Sequence, residues 1–324
     1  MSTPTTSADP TPAQGAAARA ARRPDHDRDY EMPRSQQIAN LMAVVLPFVA
    51  FLVAIYAGWN AWVDGIDLAI FAFMYVITGF GVTIGFHRLL THRGFTAPKW
   101  VEYSLAIAGS MSIQGPVTSW VADHRKHHAF TDAEGDPHSP HVGHGSGLKG
   151  LIHAHVGWIM TDQGSAQRSK YAKDLVEDRG MRRISKNFEL IALASLLIPA
   201  VLGFALHGFT LEGFLRGLLW GGFVRIFLLH HITWSINSIC HFHGKRRFDI
   251  DDHSTNVAWL AVPSLGEAWH HNHHAFPRAA VHGMGRREID ITGWVIAGME
   301  KVGLARDVVR ISPERQAAKE LRPS

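Results

Sequence analysis

Long, nearly unbroken apolar runs alternate along this chain with long polar segments rich in histidine. From Leu41 to Ala57 almost every residue is apolar, and the run stops at Gly58-Trp59. A second run, Ile66 to Phe86, begins after a short turn. The arrangement recurs at Phe188 to Leu206 and Phe214 to Ile236, again joined by a short turn. Each run approaches the roughly 20 residues that cross a hydrocarbon core. The pattern predicts four transmembrane helices in two hairpins, in preference to the buried helices of a soluble protein. Val101 to Val121 is also apolar but contains Gln114, Gly115 and Pro116. It reads as a helix lying in or re-entering the membrane interface, because a further crossing would carry the histidines behind it to the opposite side.

Positive charge orients these spans. Thirteen Arg and Lys lie between His87 and Asn187 and twelve follow Asn237, whereas the turns Gly58–Gly65 and His207–Gly213 hold none. The positive-inside rule then places the long segments and both termini in the cytoplasm. Composition agrees: 46% of residues are hydrophobic and 19% charged, a balance that leans to the membrane. The net charge of +4 would suit lipid headgroups or nucleic acid alike. The position of the cations beside the spans selects lipid, and no nucleic-acid partner is expected. Residues 1–35 lack the apolar run of a secretory signal and read as a disordered tail. A membrane domain over 36–300 and a C-terminal tail over 301–324 complete the expected organisation. The lone cysteine, Cys240, excludes an internal disulfide framework and fits a reducing, cytosol-facing setting.

Of the 22 histidines, three clusters stand out: His87 with His92, His124 with His127 and His128, and His270-His271 with His273 and His274. Spacings of three and four put ring nitrogens on one helical face, where they can converge on a metal, and imidazole suits iron, copper, nickel and zinc. His270, His273 and His274 repeat the H-x-x-H-H triplet of the second cluster, which leaves His271 aside; the remaining eight histidines exceed the needs of one ion, so two ions sharing eight or nine imidazoles is the expected count. The scarcity of carboxylates argues against calcium or magnesium. Asp123, Asp136 and Glu267 are candidates to accept the outer ring N–H groups and hold each tautomer. His141, His144, His153, His155, His207, His230, His253 and His282 read as ordinary polar residues. All three clusters fall on the cytoplasmic side of the predicted spans.

These residues carry a resemblance. From about Leu41 to Met284 the chain resembles the membrane fatty acid desaturases, most closely the Δ9 acyl-CoA group related to stearoyl-CoA desaturase. Gly81-Val-Thr-Ile-Gly-Phe-His87-Arg-Leu-Leu-Thr-His92-Arg is similar to the family's first histidine box. Asp123-His124-Arg-Lys-His127-His128 with the trailing Asp136-Pro-His138 resembles the second, and Gly266-Glu-Ala-Trp-His270-His-Asn-His273-His274-Ala-Phe-Pro277 the third. The resemblance implies an all-α integral membrane fold: four transmembrane helices under a cytosolic helical cap that holds a histidine-ligated di-iron centre. Thr233-Trp234-Ser-Ile-Asn237-Ser-Ile-Cys-His241 is similar to a segment that adds a ninth ligand. His241, by position either a helix-end histidine or a ligand, would then bind metal directly, and Asn237 through water. The resemblance further implies a bent acyl tunnel lined near its bend by Gln114, Trp120, Thr233 and Trp234. Tyr75 would sit near the deep end, twelve residues or ~18 Å of helix before His87, unless it is span packing.

Two departures bear on the acyl carrier. No cation follows His155-Val-Gly-Trp158, and His138-Ser-Pro-His141 stands where the family has an arginine pair. Long-chain acyl-CoA is the expected substrate, with Arg168 or Lys173 as replacement cations; an acyl carrier protein or a membrane lipid is the alternative carrier. An unactivated methylene has no acidic proton, so acid–base or nucleophilic side chains cannot reach it. Two iron ions with O2 can, fed by an external donor such as a ferredoxin or rubredoxin with its reductase. The competing readings are a di-iron lipid or alkane hydroxylase and a metal-binding or transport protein. Transport would rely on the intramembrane Arg225 and His230–His231.

Overall fold

The first apolar run folds as α1 (Arg34–Trp59), seven residues earlier than the run itself, because nothing between Pro33 and Leu41 breaks a helix and the Gln37 N–H already reaches the Pro33 carbonyl at 3.0 Å. The computed structural model describes residues 32–59, 62–143, 147–161 and 166–321, and these are helical with no strand, only isolated β-bridges. The expected disordered tail up to residue 31, and His144, lie outside the described residues.

Asp64 caps α2 (Gly65–Phe80), accepting from the Ile66 and Asp67 N–H groups while the Asp67 side chain accepts from the Asp64 N–H. This reciprocal box satisfies two otherwise orphaned donors. The helix does not stop at Phe86 but continues as a π-helical stretch, Gly81–Thr91, so His87 lies inside it. Next come α3 (Lys99–Ser110) and α4 (Val117–Phe130), separated where Gly115 and Pro116 interrupt the apolar Val101–Val121 segment. The short helices α5 (Leu148–His155), α6 (Arg168–Tyr171), α7 (Lys173–Glu177) and α8 (Arg179–Lys186) build the cap. The third run is α9 (Phe188–Leu206). The fourth is one helical path, α10 (Leu211–Gly217), a π-helical stretch Leu218–Val224, and α11 (Arg225–Ser238). The cap closes with α12 (His270–Ala275), α13 (Ile291–Lys301) and α14 (Pro313–Lys319).

Three stretches, 34–58, 65–91 and 188–206, are long and apolar enough to cross a membrane. Leu41, Phe48 and Leu52 on α1 are exposed, as side chains facing lipid would be. The fourth path carries Arg216 and Arg225 and is largely interior. At the turn end, Arg216 pairs with Asp64 at 2.7 Å and with the fully buried Asp67, and His207 Nε2 lies 3.1 Å from Asp67. Both predicted hairpins are thereby tied together at the end remote from the histidine clusters. At the cap end, the chain beyond residue 301 folds back on the body. The Thr96 N–H reaches the Arg306 carbonyl at 2.8 Å, and Lys319 Nζ donates to the Ala275 carbonyl at 2.9 Å.

The crossing of the π-helical stretch with α3 depends on glycine. A Cβ on Gly81 would stand 2.1 Å from the Gly109 nitrogen, and one on Gly109 would stand 2.7 Å from the Gly81 oxygen. Small residues let helix backbones approach this closely, and in lipid such packing replaces the hydrophobic drive between helices. Gly81→Ala is expected to destabilise the protein by ~1–3 kcal/mol through overpacking. Gly298→Ala on α13, where nothing lies within 4 Å, should be neutral or gain up to ~1 kcal/mol from helix propensity. Thermal unfolding in detergent compares them; equal midpoints would overturn the close-contact account.

Candidate metal centre

The His87–His92 spacing of five suits a π-helix rather than an α-helix, because each π-helical bond spans five residues. The His92 N–H indeed reaches the His87 carbonyl at 3.1 Å, one π turn back, and the two rings lie 4.8 Å apart. On α4 and α12 the three-and-four spacing does the same work. Nine imidazoles come together in two groups: His87, His92, His124, His128 and His273 in one, His127, His241, His270 and His274 in the other. Within each group the nearest ring nitrogens all lie within 4.8 Å of one another. The division has a rule. Residues four apart, His124 and His128 or His270 and His274, serve one group, while the third member, His127 or His273, crosses to the other.

The outer nitrogens meet carboxylates. His87 Nδ1 donates to Glu267, His127 Nδ1 to Asp136 at 3.0 Å, His241 Nδ1 to Asp132 at 2.9 Å and His274 Nδ1 to Asp252 at 3.0 Å. Glu267 is held in turn by Arg88, whose guanidinium also binds Asp290 and the Ala280 carbonyl. Asp136 and Glu267 are thus where sequence placed them. Asp123 is not: its carboxylate accepts from the Ala166 N–H at 2.6 Å and touches no cluster ring, while burial raises its pKa to about 7. Asp132 and Asp252 take that role instead. Burial by itself would raise the Asp132 and Glu267 carboxyls, but His241 for the first, and Arg88 and His87 for the second, hold them below the usual range.

Donating Nδ1–H to a carboxylate fixes the tautomer and leaves Nε2 as a bare lone pair. These lone pairs face inward. The buried Nε2 atoms of His92, His127 and His274 have no hydrogen-bond partner. His241 Nε2 stands 2.9 Å from His270 Nε2, His273 Nε2 2.9 Å from His128 Nε2, and His87 Nε2 3.2 Å from His273 Nε2. Burial first, and the neighbouring imidazoles second, push His92, His124, His128, His270, His273 and His274 far below the ordinary histidine pKa. Neutral rings with converging lone pairs call for cations, and an all-nitrogen donor set suits first-row transition metals. The clustered residues therefore fit two such ions.

Both groups open on one cavity of about 1800 Å³, lined by His87, His124 and His270. Gln114, Trp120, Thr233, Trp234 and Asn237 line it as well. Gln114 Nε2 donates to Thr233 Oγ1 at 3.0 Å, Trp120 Nε1 to Gln114 Oε1 at 3.3 Å, and the Trp120 ring stacks on His124 at 5.1 Å. Tyr75 is not a lining residue; its hydroxyl donates to the carbonyl of Pro263, which is. The lining also includes the cations Arg168, Arg179, Arg182, Arg183 and Lys186. Lys173 does not belong to it and pairs with Glu177 on the surface.

Among the histidines read as ordinary, His207 pairs with Asp67, His230 Nε2 reaches the Ser112 carbonyl, and His155 bridges Ser238 and His231. Arg225 and His231 are likewise engaged within the protein, which leaves the transport reading without its intramembrane path. His282 is different. It is fully buried beside His87 and Glu267, 4.6 Å from the His273 ring, with both ring nitrogens lacking a hydrogen bond. It has no histidine neighbour in sequence, so spacing gave no signal for it.

Comparison with known proteins agrees with this geometry. The fatty acid desaturase family matches residues 66–286. A hex-5-enoyl-[acyl-carrier protein] acetylenase of Moorena producens is 39% identical over 87% of this chain and 88% of its own. An sn-1 stearoyl-lipid 9-desaturase of Synechocystis is 38% identical over 76% of this chain and 72% of its own. Delta-9 acyl-lipid desaturase 1 of Arabidopsis thaliana is 39% identical over 72% of each. With its histidine clusters, its membrane-length apolar helices and these relatives, the chain belongs to the fatty acid desaturase family.

Proposed function

We propose that this protein is an O2-dependent desaturase of the cell membrane that inserts a cis double bond, at the Δ9 position, into a saturated long-chain acyl group. The observation that carries the reading is that both histidine groups open on one large cavity with apolar walls, among them Val82, Leu229, Leu265 and Ile236. His87, His92, His124, His128 and His273 would hold one iron ion, and His127, His241, His270 and His274 the other, with Asn237 acting through water. Held there, two iron ions would supply the O2-dependent hydrogen removal that no acid, base or nucleophile of the chain can perform on a methylene.

The chain's own residues bind and orient. The apolar walls hold the acyl chain, and Gln114, Thr233 and Trp120 shape its path past His124, so that one carbon–carbon bond is presented to the clusters. Four helical spans, the fourth being the path from Leu211 to Ser238, would place the clusters and both termini on the cytoplasmic side. There a ferredoxin- or rubredoxin-type donor with its reductase would deliver electrons. The cations of the cavity lining suit a phosphate-bearing carrier. CoA meets that requirement, as do a carrier protein's phosphopantetheine and a phospholipid. The missing basic pair after Trp158, and relatives named for lipid- and carrier-protein-bound acyl groups, broaden the carrier beyond CoA.

His127→Ala and His273→Ala are each expected to abolish unsaturated product and lower bound iron together. Fatty acid analysis and metal content of the purified protein report both, and full activity in either variant would sink the assignment. Product mass separates the rival chemistry: loss of two hydrogens marks desaturation, gain of one oxygen marks hydroxylation. Asp132→Asn should weaken metal retention against a chelator roughly 10–100-fold, whereas Asp123→Asn should leave metal content unchanged. Turnover on stearoyl-CoA, stearoyl-carrier protein and stearoyl phospholipid identifies the carrier. Arg183→Ala is expected to raise KM more than it lowers kcat, and an unaltered KM on the preferred carrier would remove that cation from the binding site.

A further inference from the structure

Arg225 is fully buried within the fourth apolar run, and its hydrogen bonds run only to carbonyls and one hydroxyl. A charge at that depth is expensive and is retained where it does something specific. Its Nε donates to the Gly221 carbonyl at 3.1 Å, within its own helical path. Its Nη2 donates to the Ser195 carbonyl at 3.1 Å and to Ser195 Oγ at 2.7 Å. Pro199 lies four residues after Ser195 on α9 and has no N–H to give that carbonyl. Arg225 therefore satisfies an acceptor that proline leaves open.

The remaining nitrogen, Nη1, donates to the Met111 carbonyl at 3.0 Å, which also accepts from Ser195 Oγ at 2.6 Å. Five residues further along α11, His230 Nε2 lies 2.8 Å from the Ser112 carbonyl. Met111 and Ser112 begin the break between α3 and α4, where Ile113 and Gly115 adopt positive φ of 60° and 108°. A β-branched residue in that region is strained and stays only where its surroundings impose it. Two residues after the Ser112 carbonyl comes Gln114, which meets Thr233 and Trp120 on the cavity wall. Trp120 stacks on His124. The clamp is thus joined to the wall beside the clusters by three residues of chain.

We propose that Arg225, with Ser195 and His230, is a positioning device that fixes the depth of the Met111–Pro116 break and so determines which acyl carbons lie beside the histidine clusters. It rests on the desaturase reading, and it assigns regiochemistry to residues that touch neither metal ligand nor acyl chain in the case of Arg225 and Ser195. Loosening the clamp lets the break, and Gln114 with it, shift along the acyl path while the histidines keep their own carboxylate supports.

Expression of Arg225→Met, Arg225→Lys and Ser195→Ala in a host, with double-bond positions mapped in the fatty acids and metal content measured in the purified proteins, tests this. Arg225→Met should lower the ratio of the wild-type position to neighbouring positions about tenfold, a change that a small difference between competing barriers produces. Ser195→Ala should act in the same direction by less, Arg225→Lys should restore much of the ratio, and metal content should hold in all three. If Arg225→Met does not accumulate, Ser195→Ala decides alone. Less product at an unchanged positional ratio would reduce the clamp to a fold-stabilising contact and overturn the inference. A wild-type protein that yields only saturated acyl chains would overturn the desaturase reading itself, and this inference with it.

Discussion

An imidazole buried in a protein has two nitrogens to satisfy, and this fold gathers nine such rings into two groups. Four of the nine rings give their outer N–H to a carboxylate, and the inner lone pairs then point at one another. Such an arrangement is unfavourable without a cation, since neither partner has a proton to share. The carboxylates are themselves buried and need support. Arg88 serves Glu267, while Ser139 and Ser254 donate to Asp132 and Asp252. The polar network thus extends well beyond the ligands, and three of the four carboxylates stand behind the second group.

The membrane helices answer a different constraint, that a backbone in lipid must satisfy itself. Where the fourth path departs from regular α geometry, and where Pro199 frees a carbonyl on α9, side chains close the account. Arg225 does so in the buried interior of that path, and Arg216 with Asp64, Asp67 and His207 binds the hairpin ends together. Glycine contacts then bring α3 against the π-helical stretch that carries the first two histidines. Membrane packing and metal-site geometry meet at that crossing.

Much of this was legible in sequence because hydropathy and histidine spacing are local properties. The four apolar runs, the interruption at Gly115-Pro116, and eight of the nine clustered imidazoles could be read from pattern alone. His241 required the likeness to a known family, since one histidine at a helix end carries no spacing signal. The roles of Asp132 and Asp252 were hidden because each reaches its histidine across the fold, over 109 and 22 residues. Asp123 misled for the complementary reason: adjacency to His124 in sequence directs its side chain elsewhere on the helix. Nothing in the pattern of Arg179, Arg182, Arg183 and Lys186 distinguishes them from a charged surface helix; only the fold brings them to the cavity lining. The π-helical winding from Gly81 explains the five-residue spacing of His87 and His92, which an α-helical expectation could not.

The sharing of α4 and α12 between the two groups has a bearing on how this sequence can change. Because each helix contributes to both groups, their separation follows from helical pitch and not from a loop that could lengthen. One residue inserted between His124 and His127 would turn the later histidines by about 100° relative to the first. No compensating shift of the partner helix could restore both groups at once. Insertions and deletions in the interior of these two helices would therefore break the site, whereas the segments that connect them can change length without turning one histidine against another.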